Sequence, residues 1–223
     1  NMNRQDCERL NNSKIVIDKD LNNLDCLILV GGLGKRLSSL PTEKPKVLLP
    51  INDKPFIDII IDYLRSFGIR NFIFCVGYKK EQVIDHFNGN NYEYVIKFSE
   101  EENPLGTGGA LKNAIPSTRS ETFIAMNGDS ICNVNFGDLI NFHINKNALL
   151  SMVLVRSLTS NDYGTVILDN SQRVISFNEK TVDNKESLIN AGIYIMQKDI
   201  LYHMPKRKAF SLEYDLFPKL CND

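Results

Sequence analysis

A chain of 223 residues, 43% hydrophobic and 24% charged, has the make-up of a soluble globular protein, and at this length it buries about 70% of its potential surface without staples. The formal net charge is -1, so the basic excess expected of a general nucleic-acid or membrane-surface binder is missing. No apolar run approaches the roughly 18 residues of a membrane helix, and cysteines 7, 26, 75, 132 and 221, widely spaced and without a CxxC, read as reduced thiols of a cytoplasmic protein.

Residues 1–23 are polar and Asn-rich apart from KIVID at 14–18, with no apolar core of a signal peptide. They read as a leader or linker before a domain spanning 24–223. CLILV (26–30) is a continuous apolar run, the pattern of a strand buried on both faces. After a long loop, Pro55 stands where a helix starts, and PFIDIIIDYLRSFG carries apolar residues at helical spacing, closed by Gly68. NFIFCVG (71–77) is a second buried strand, KKEQVIDHF (79–87) a short helix, and YEYVIKF (92–98) alternates like a strand. Residues 107–115 fit a helix with Thr107 as N-cap, TFIAMNGD (122–129) a strand ending in a turn, 136–146 a helix, and ALLSMVLVR (148–156) a strand. Strand and helix alternating at this spacing predict βαβ units and a largely parallel sheet. Beyond residue 160 the pattern changes. YGTVILD and RVISFNEK, joined at Asn170-Ser171, predict a hairpin; LINAGIYIM (188–196) predicts a strand; KDILYHM and LEYDLFPKL predict helices. His86, His143 and His203 are scattered without metal spacing and are assigned no chemistry.

LVGGLGKRLSSLPTEKPKVLLP (29–50) leaves a buried strand through Gly31, Gly32 and Gly34 and continues into Lys35, Arg36, Lys44 and Lys46. Cations after a glycine turn point to phosphate. A P-loop needs Ser or Thr after Gly-Lys, but Arg36 stands there. A dinucleotide fingerprint needs a third glycine where Leu37 stands, and its acidic partner would be Asp53, which lies in the turn-like INDKP. What remains is GGxGxRL at the carboxyl end of the first strand, followed by PKxLLP. Open α/β sheets bind ligands at that edge. Glycines there admit phosphates to backbone N–H groups, Arg36 can fork onto two phosphate oxygens, and Lys46 can act as a mobile point charge.

GGLGKRL with KPKVLLP resembles the sugar-phosphate nucleotidylyltransferase family, whose pattern is GGxGTRL followed by PKxLLP. EENPLGTGGA (101–110), NGD (127–129), FNEK (177–180) and NAGIY (190–194) resemble, in the same order, the family's base-side segment, metal-binding strand end and sugar-side motifs. Within the family the nearest subgroup is the guanylyltransferases acting on D-glycero-D-manno-heptose 1-phosphate; mannose-1-phosphate guanylyltransferases share the PLGTxGA stretch. The resemblance implies a three-layer α/β sandwich of Rossmann-like, mixed but mostly parallel sheet, with a small antiparallel extension on the sugar side. It implies an enzyme that joins an NTP to a sugar 1-phosphate, giving NDP-sugar and pyrophosphate for cell-surface glycan synthesis. The alternatives are a mannose- or glucose-1-phosphate nucleotidylyltransferase and a non-catalytic nucleotide-sugar-binding regulatory paralogue.

The resemblance also implies roles. Arg36 and Lys46 bind the triphosphate and stabilise the leaving group, and Asp129 holds Mg²⁺. Gly31, Gly32, Leu33, Gly34, Lys35, Glu101, Pro104, Gly106, Thr107 and Gly128 line the nucleotide; Lys35 stands where the family has Thr. Glu179 accepts from sugar hydroxyls, Lys180 holds the sugar phosphate, and Tyr163, Gly164, Asn190 and Gly192 line the sugar pocket. Guanine presents paired donors that a carboxylate accepts, so Glu101 or Glu102 favours GTP. The family's second metal-binding aspartate lies in a pattern like FIDIGxPxDY, which SLEYDLFPKL resembles the approach to; Asp215 and Asp162 are the substitutes at hand, without support from spacing. The partners implied are the two small-molecule substrates and further copies of the chain, with no nucleic acid or membrane.

Overall fold

In a computed structural model, residues 21–32, 43–89, 91–158, 164–179 and 186–221 are described. Chain order is β1 (Asp25–Leu29), β2 (Pro50–Ile51), β3 (Lys54–Pro55), α1 (Phe56–Ser66), β4 (Asn71–Val76), α2 (Lys80–Phe87), β5 (Val95–Glu100), α3 (Gly106–Ala114), β6 (Thr122–Asn127), α4 (Phe136–Asn145), β7 (Leu150–Ser157), β8 (Thr165–Leu168), β9 (Val174–Asn178), β10 (Ser187–Gln197) and α5 (Phe217–Leu220). An eight-stranded sheet runs β5-β4-β1-β6-β10-β8-β9, with β7 also paired to β10. Strands β5, β4, β1 and β6 are mutually parallel; β10 turns the direction, and β7, β8 and β9 pair antiparallel. The antiparallel part is continuous with the main sheet.

Alternation along each parallel strand divides the core in two. Cys26, Ile28, Phe72, Phe74, Val76, Ile124 and Met126 face α1, α2 and α4. Leu27, Ile73, Cys75, Phe123, Ala125 and Tyr194 face α3 and the segment from Ile200 to Phe217. These are the helix, sheet and helix layers of the expected sandwich. Leu21 and Leu24 are buried in the first of the two cores. The turn between β2 and β3 has both Asn52 and Asp53 at positive φ, +49° and +65°, the backbone of a tight hairpin rather than of a ribose-binding strand end.

Three local expectations are corrected. The strand expected from Tyr92 begins at Val95, because its ladder partner β4 begins at Asn71, opposite Val95; the Tyr92 and Tyr94 rings lie against each other, tilted by 35°. KDILYHM forms only a 3₁₀ turn over Lys198–Tyr202. LEYDLFPKL forms a π turn over Leu212–Leu216 and then α5; Pro218, which has no N–H to donate back, sits in the first turn of α5, where that donor is not needed.

Candidate active site

The parallel strands end together, and their ends carry the candidate residues. The ladder extends one step past each strand: Val30 N–H donates to Cys75 O (3.0 Å), Tyr78 N–H to Gly31 O (3.3 Å), Glu101 N–H to Val76 O (2.8 Å) and Gly128 N–H to Leu29 O (2.9 Å). Glu101, Gly77, Gly31 and Gly128 therefore stand side by side across the carboxyl edge. The glycines are required by contact. A Cβ on Gly31 would lie 2.8 Å from Glu101 Oε1 and 3.1 Å from Gly77 N, and one on Gly128 would lie 2.6 Å from Val30 Cγ1. Gly32 differs, with nothing within 4 Å of its Cβ position.

Asp129 follows at this edge, and Lys46, in the 3₁₀ turn Lys46–Leu48, reaches across to it. Lys46 Nζ lies 2.7 Å from Asp129 Oδ2, the two side chains 34% and 48% exposed. A cation and a carboxylate distant in sequence thus meet in a partly open position. Such a pair can part to receive a polyanion and a divalent ion. Among the described residues no group of three or more His, Cys, Asp or Glu is placed to hold a metal by itself. A hard cation here would take Asp129 as its protein ligand and fill its shell with phosphate oxygens and water, a donor set that suits Mg²⁺.

Beside this, Glu101 is half-buried. Its Oε2 accepts from Leu105 N–H at 2.9 Å, and burial raises its carboxyl above the ordinary value despite that hydrogen bond. Glu102 and Pro104 are exposed. The expected N-cap is corrected: Leu105 occupies that position, and Thr107 Oγ1 is turned to the C-terminal segment, donating to Glu213 Oε2 (2.7 Å) and accepting from Leu212 N–H (2.9 Å). Gly106 (φ +72°), Gly108 and Gly109 are explained by the same segment, since a Cβ on any of them would run into Phe210 or Lys208.

Because β10 is antiparallel to β6, its first half lies beyond the end of β6. Ile193 pairs with Met126, so Gly192 stands beside Asn127 and Asn190 lies past it. The chain bulges between Asn190 and Tyr194. Asn190 Nδ2 donates to the Tyr194 hydroxyl (2.7 Å), and its Oδ1 accepts from Gly192 N–H (3.0 Å). Gly192 has φ +72°, and a Cβ there would meet Asn127 Nδ2 at 2.5 Å. Burial first, then the charges of Glu213 and Glu179, hold the Tyr194 phenol protonated. Asn190 N–H donates to Gly164 O (3.0 Å), and a Cβ on Gly164 would be 2.9 Å from Glu179 Oε2. The structure thus brings Gly31, Gly32, Lys46, Glu101, Gly106, Thr107, Gly128, Asp129, Gly164, Glu179, Asn190 and Gly192 to one sheet edge. Leu33, Gly34, Lys35, Arg36, Tyr163 and Lys180 lie outside the described residues.

Sequence reasoning missed Gly77, the contact of Asn127 with Gly192 and the segment from Lys208 to Glu213. Gly77 had a signal, since it ends its apolar run as Gly31 ends CLILV. The other two are visible only as contacts. Asp215, offered as a substitute metal ligand, is instead a cap: its Oδ2 accepts from Ser211 N–H (2.8 Å), its Oδ1 pairs with Arg207, and these bonds lower its carboxyl below the ordinary value. His86 pairs with Asp58 and His143 with Ser151, both away from the edge.

A family model described as nucleotidyl transferase matches residues 25–223. The D-glycero-alpha-D-manno-heptose 1-phosphate guanylyltransferase of Aneurinibacillus thermoaerophilus is 41% identical over 88% of this chain and 84% of its own length. That of Campylobacter jejuni is 39% identical over 85% and 83%. The mannose-1-phosphate guanylyltransferase of Mycobacterium tuberculosis is 33% identical over 90% of this chain and 56% of its own. The crystal structure of HddC from Yersinia pseudotuberculosis complexed with GMP-PN superposes with TM-score 0.78 at 34% identity, covering 88% of this chain and 86% of that one.

Proposed function

The chain belongs to the nucleotidyl transferase family and is an enzyme of sugar-phosphate nucleotidyl transfer; from that premise we propose that it condenses GTP with D-glycero-D-manno-heptose 1-phosphate, releasing pyrophosphate and GDP-heptose in the cytoplasm for cell-surface glycan synthesis. The observation that carries this reading is the Lys46–Asp129 pair, 2.7 Å apart at the carboxyl edge of the parallel strands and between the base-side and sugar-side motifs. The guanine choice is supported by the Glu101 carboxylate beside Gly31 and by the guanylyltransferases among the relatives.

A phosphate oxygen of the sugar phosphate attacks the α-phosphorus of GTP. One P–O bond forms, the α–β bridging bond breaks, and pyrophosphate departs with the electron pair. The protein's task is alignment and charge neutralisation. Lys46, with Arg36, offsets negative charge growing on the leaving group. Asp129 would hold Mg²⁺, which when bound supplies charge neutralisation at the phosphate oxygens. Gly31 and Gly32 let phosphates approach the backbone without a Cβ. Glu179, Asn190 and Lys180 orient the sugar phosphate for in-line attack.

The test is pyrophosphate release in Mg²⁺, crossing GTP, UTP, dTTP, CTP and ATP against heptose, mannose and glucose 1-phosphates. The expected result is turnover with GTP and the heptose phosphate, reduced about 100- to 1,000-fold in Lys46→Ala and at least as far in Asp129→Ala. Turnover with mannose 1-phosphate alone would reassign the sugar. Tight nucleotide binding with no turnover for any pair would replace the enzyme reading with that of a nucleotide-sugar sensor.

A further inference from the structure

The N-terminus of α3 is occupied by the protein itself. Phe210 O accepts from Gly108 N–H (3.0 Å) and Gly109 N–H (3.1 Å), while Phe210 N–H donates to Leu105 O (2.9 Å). Leu105 N–H in turn donates to Glu101 Oε2, and Glu101 Oε1 stands against Gly31. Segment 208–213 therefore grips the stretch from Leu105 to Gly109, and Leu105 in turn bonds Glu101. Glu213 supplies the side-chain carboxylate in this attachment. Its Oε2 accepts from Thr107 Oγ1 and from Ser211 Oγ, each at 2.7 Å.

An N-terminal cap for the π turn would be a sufficient role for a residue at this position. That role is filled by others. Ser211 Oγ accepts from Glu213 N–H (3.1 Å) and Tyr214 N–H (3.3 Å), and Asp215 takes Ser211 N–H. The Glu213 carboxylate faces Thr107, 106 residues away in sequence, on the base-side motif.

We propose that Glu213 is a positioning residue for nucleotide recognition, acting through Thr107 and Phe210 to hold Glu101 against Gly31 where a guanine is to be read. This rests on the nucleotidyl-transfer reading above and adds to it a C-terminal determinant of nucleotide affinity and base choice. Losing the carboxylate leaves segment 208–213 tied to Thr107 only through Leu212 N–H, and the loop carrying Glu101 is held less firmly in register. The hydrogen bonds of the Glu213 carboxylate go to Thr107 and Ser211, neither of them on β8, β9 or β10.

The experiment measures direct binding of GTP and of UTP in Mg²⁺ to the full chain, alongside KM and kcat for each substrate. Glu213→Ala is expected to weaken GTP binding about tenfold, the middle of the range for residues acting through others. UTP binding, KM for the sugar phosphate and kcat are expected to change much less. Glu213→Gln, which keeps one acceptor oxygen for Thr107, is expected to restore most of the affinity. Asp215→Asn is the control: it weakens the cap without touching Thr107, so it should lower the melting temperature and leave GTP affinity alone. Equal GTP affinity in Glu213→Ala and wild type, or an equal loss in Asp215→Asn, overturns the proposal. If Glu213→Ala does not fold, Thr107→Val removes that bond together with the one from Leu212 N–H and decides on the same readout. Wild type that binds GTP without turnover overturns the catalytic reading but leaves this comparison decisive; wild type that binds no nucleotide overturns both.

Discussion

Gly31 and Gly32 are neighbours, yet a methyl group would be felt differently at each. At Gly31 it meets Glu101 and the Gly77 backbone. Gly31→Ala should cost about 1–3 kcal/mol in urea unfolding, the usual range for overpacking. At Gly32 the space is open. Gly32→Ala should leave stability within about 0.5 kcal/mol while raising the KM for GTP about tenfold, equivalent to about 1.4 kcal/mol, because a phosphate approaching the backbone meets the new Cβ. An unchanged KM would remove Gly32 from the nucleotide site. Glu101 belongs to the same scale. Its carboxyl is raised, by burial first, so the folded state holds this proton more tightly than the unfolded state. Stability from this group accordingly falls as pH rises from the unfolded value through the folded one. On the proposed function the effect runs the other way, since the ionised form would be the acceptor for guanine. The KM for GTP should rise as pH is lowered toward the folded value, and Glu101→Gln should abolish that limb of the profile.

Helix α3 shows what a single element decides. In an open helix, replacing glycine by alanine stabilises by up to about 1 kcal/mol. Here Gly109 lies against the Lys208 carbonyl and Leu105, and Gly108 against the Phe210 ring. Gly109→Ala should therefore destabilise, by about 1–3 kcal/mol, measured as a lower urea midpoint at unchanged slope. A gain in stability would mean that segment 208–210 does not pack as described. GTGGALKNA predicts a helix from its sequence. That its glycines answer to a segment a hundred positions later is not written locally.

At the scale of the whole molecule, the sheet's far side holds a buried network. His143, 1% exposed, bonds Ser151 Oγ through Nδ1 (2.9 Å) and faces Gln197 Nε2 through Nε2 (3.0 Å), while Gln197 Oε1 accepts from Thr122 Oγ1. An amide NH₂ offers only donors, so His143 is held neutral with its proton on Nδ1. Burial lowers its pKa below 6.5. Between the folded value and 6.5 the unfolded chain binds more protons, so stability is full above 6.5 and declines as pH falls through this window. Urea midpoints between pH 5 and 8 should show that decline, and His143→Asn should flatten it. The network joins α4, β6, β7 and β10, elements that the chain brings together only on folding. The amino-acid sequence by itself determined the βαβ layering, because buried parallel strands must be apolar on both faces and helices must show their stripe. It also carries the expectation of phosphate binding near Gly31 and Lys46, because that chemistry needs glycine and cations within a short span. Tertiary structure alone decided that Lys46 meets Asp129, that Asn127 closes on Gly192, and that Glu213 holds Thr107. Those pairings link residues far apart along the chain, and their geometry is set by strand order and register, which a linear pattern does not encode.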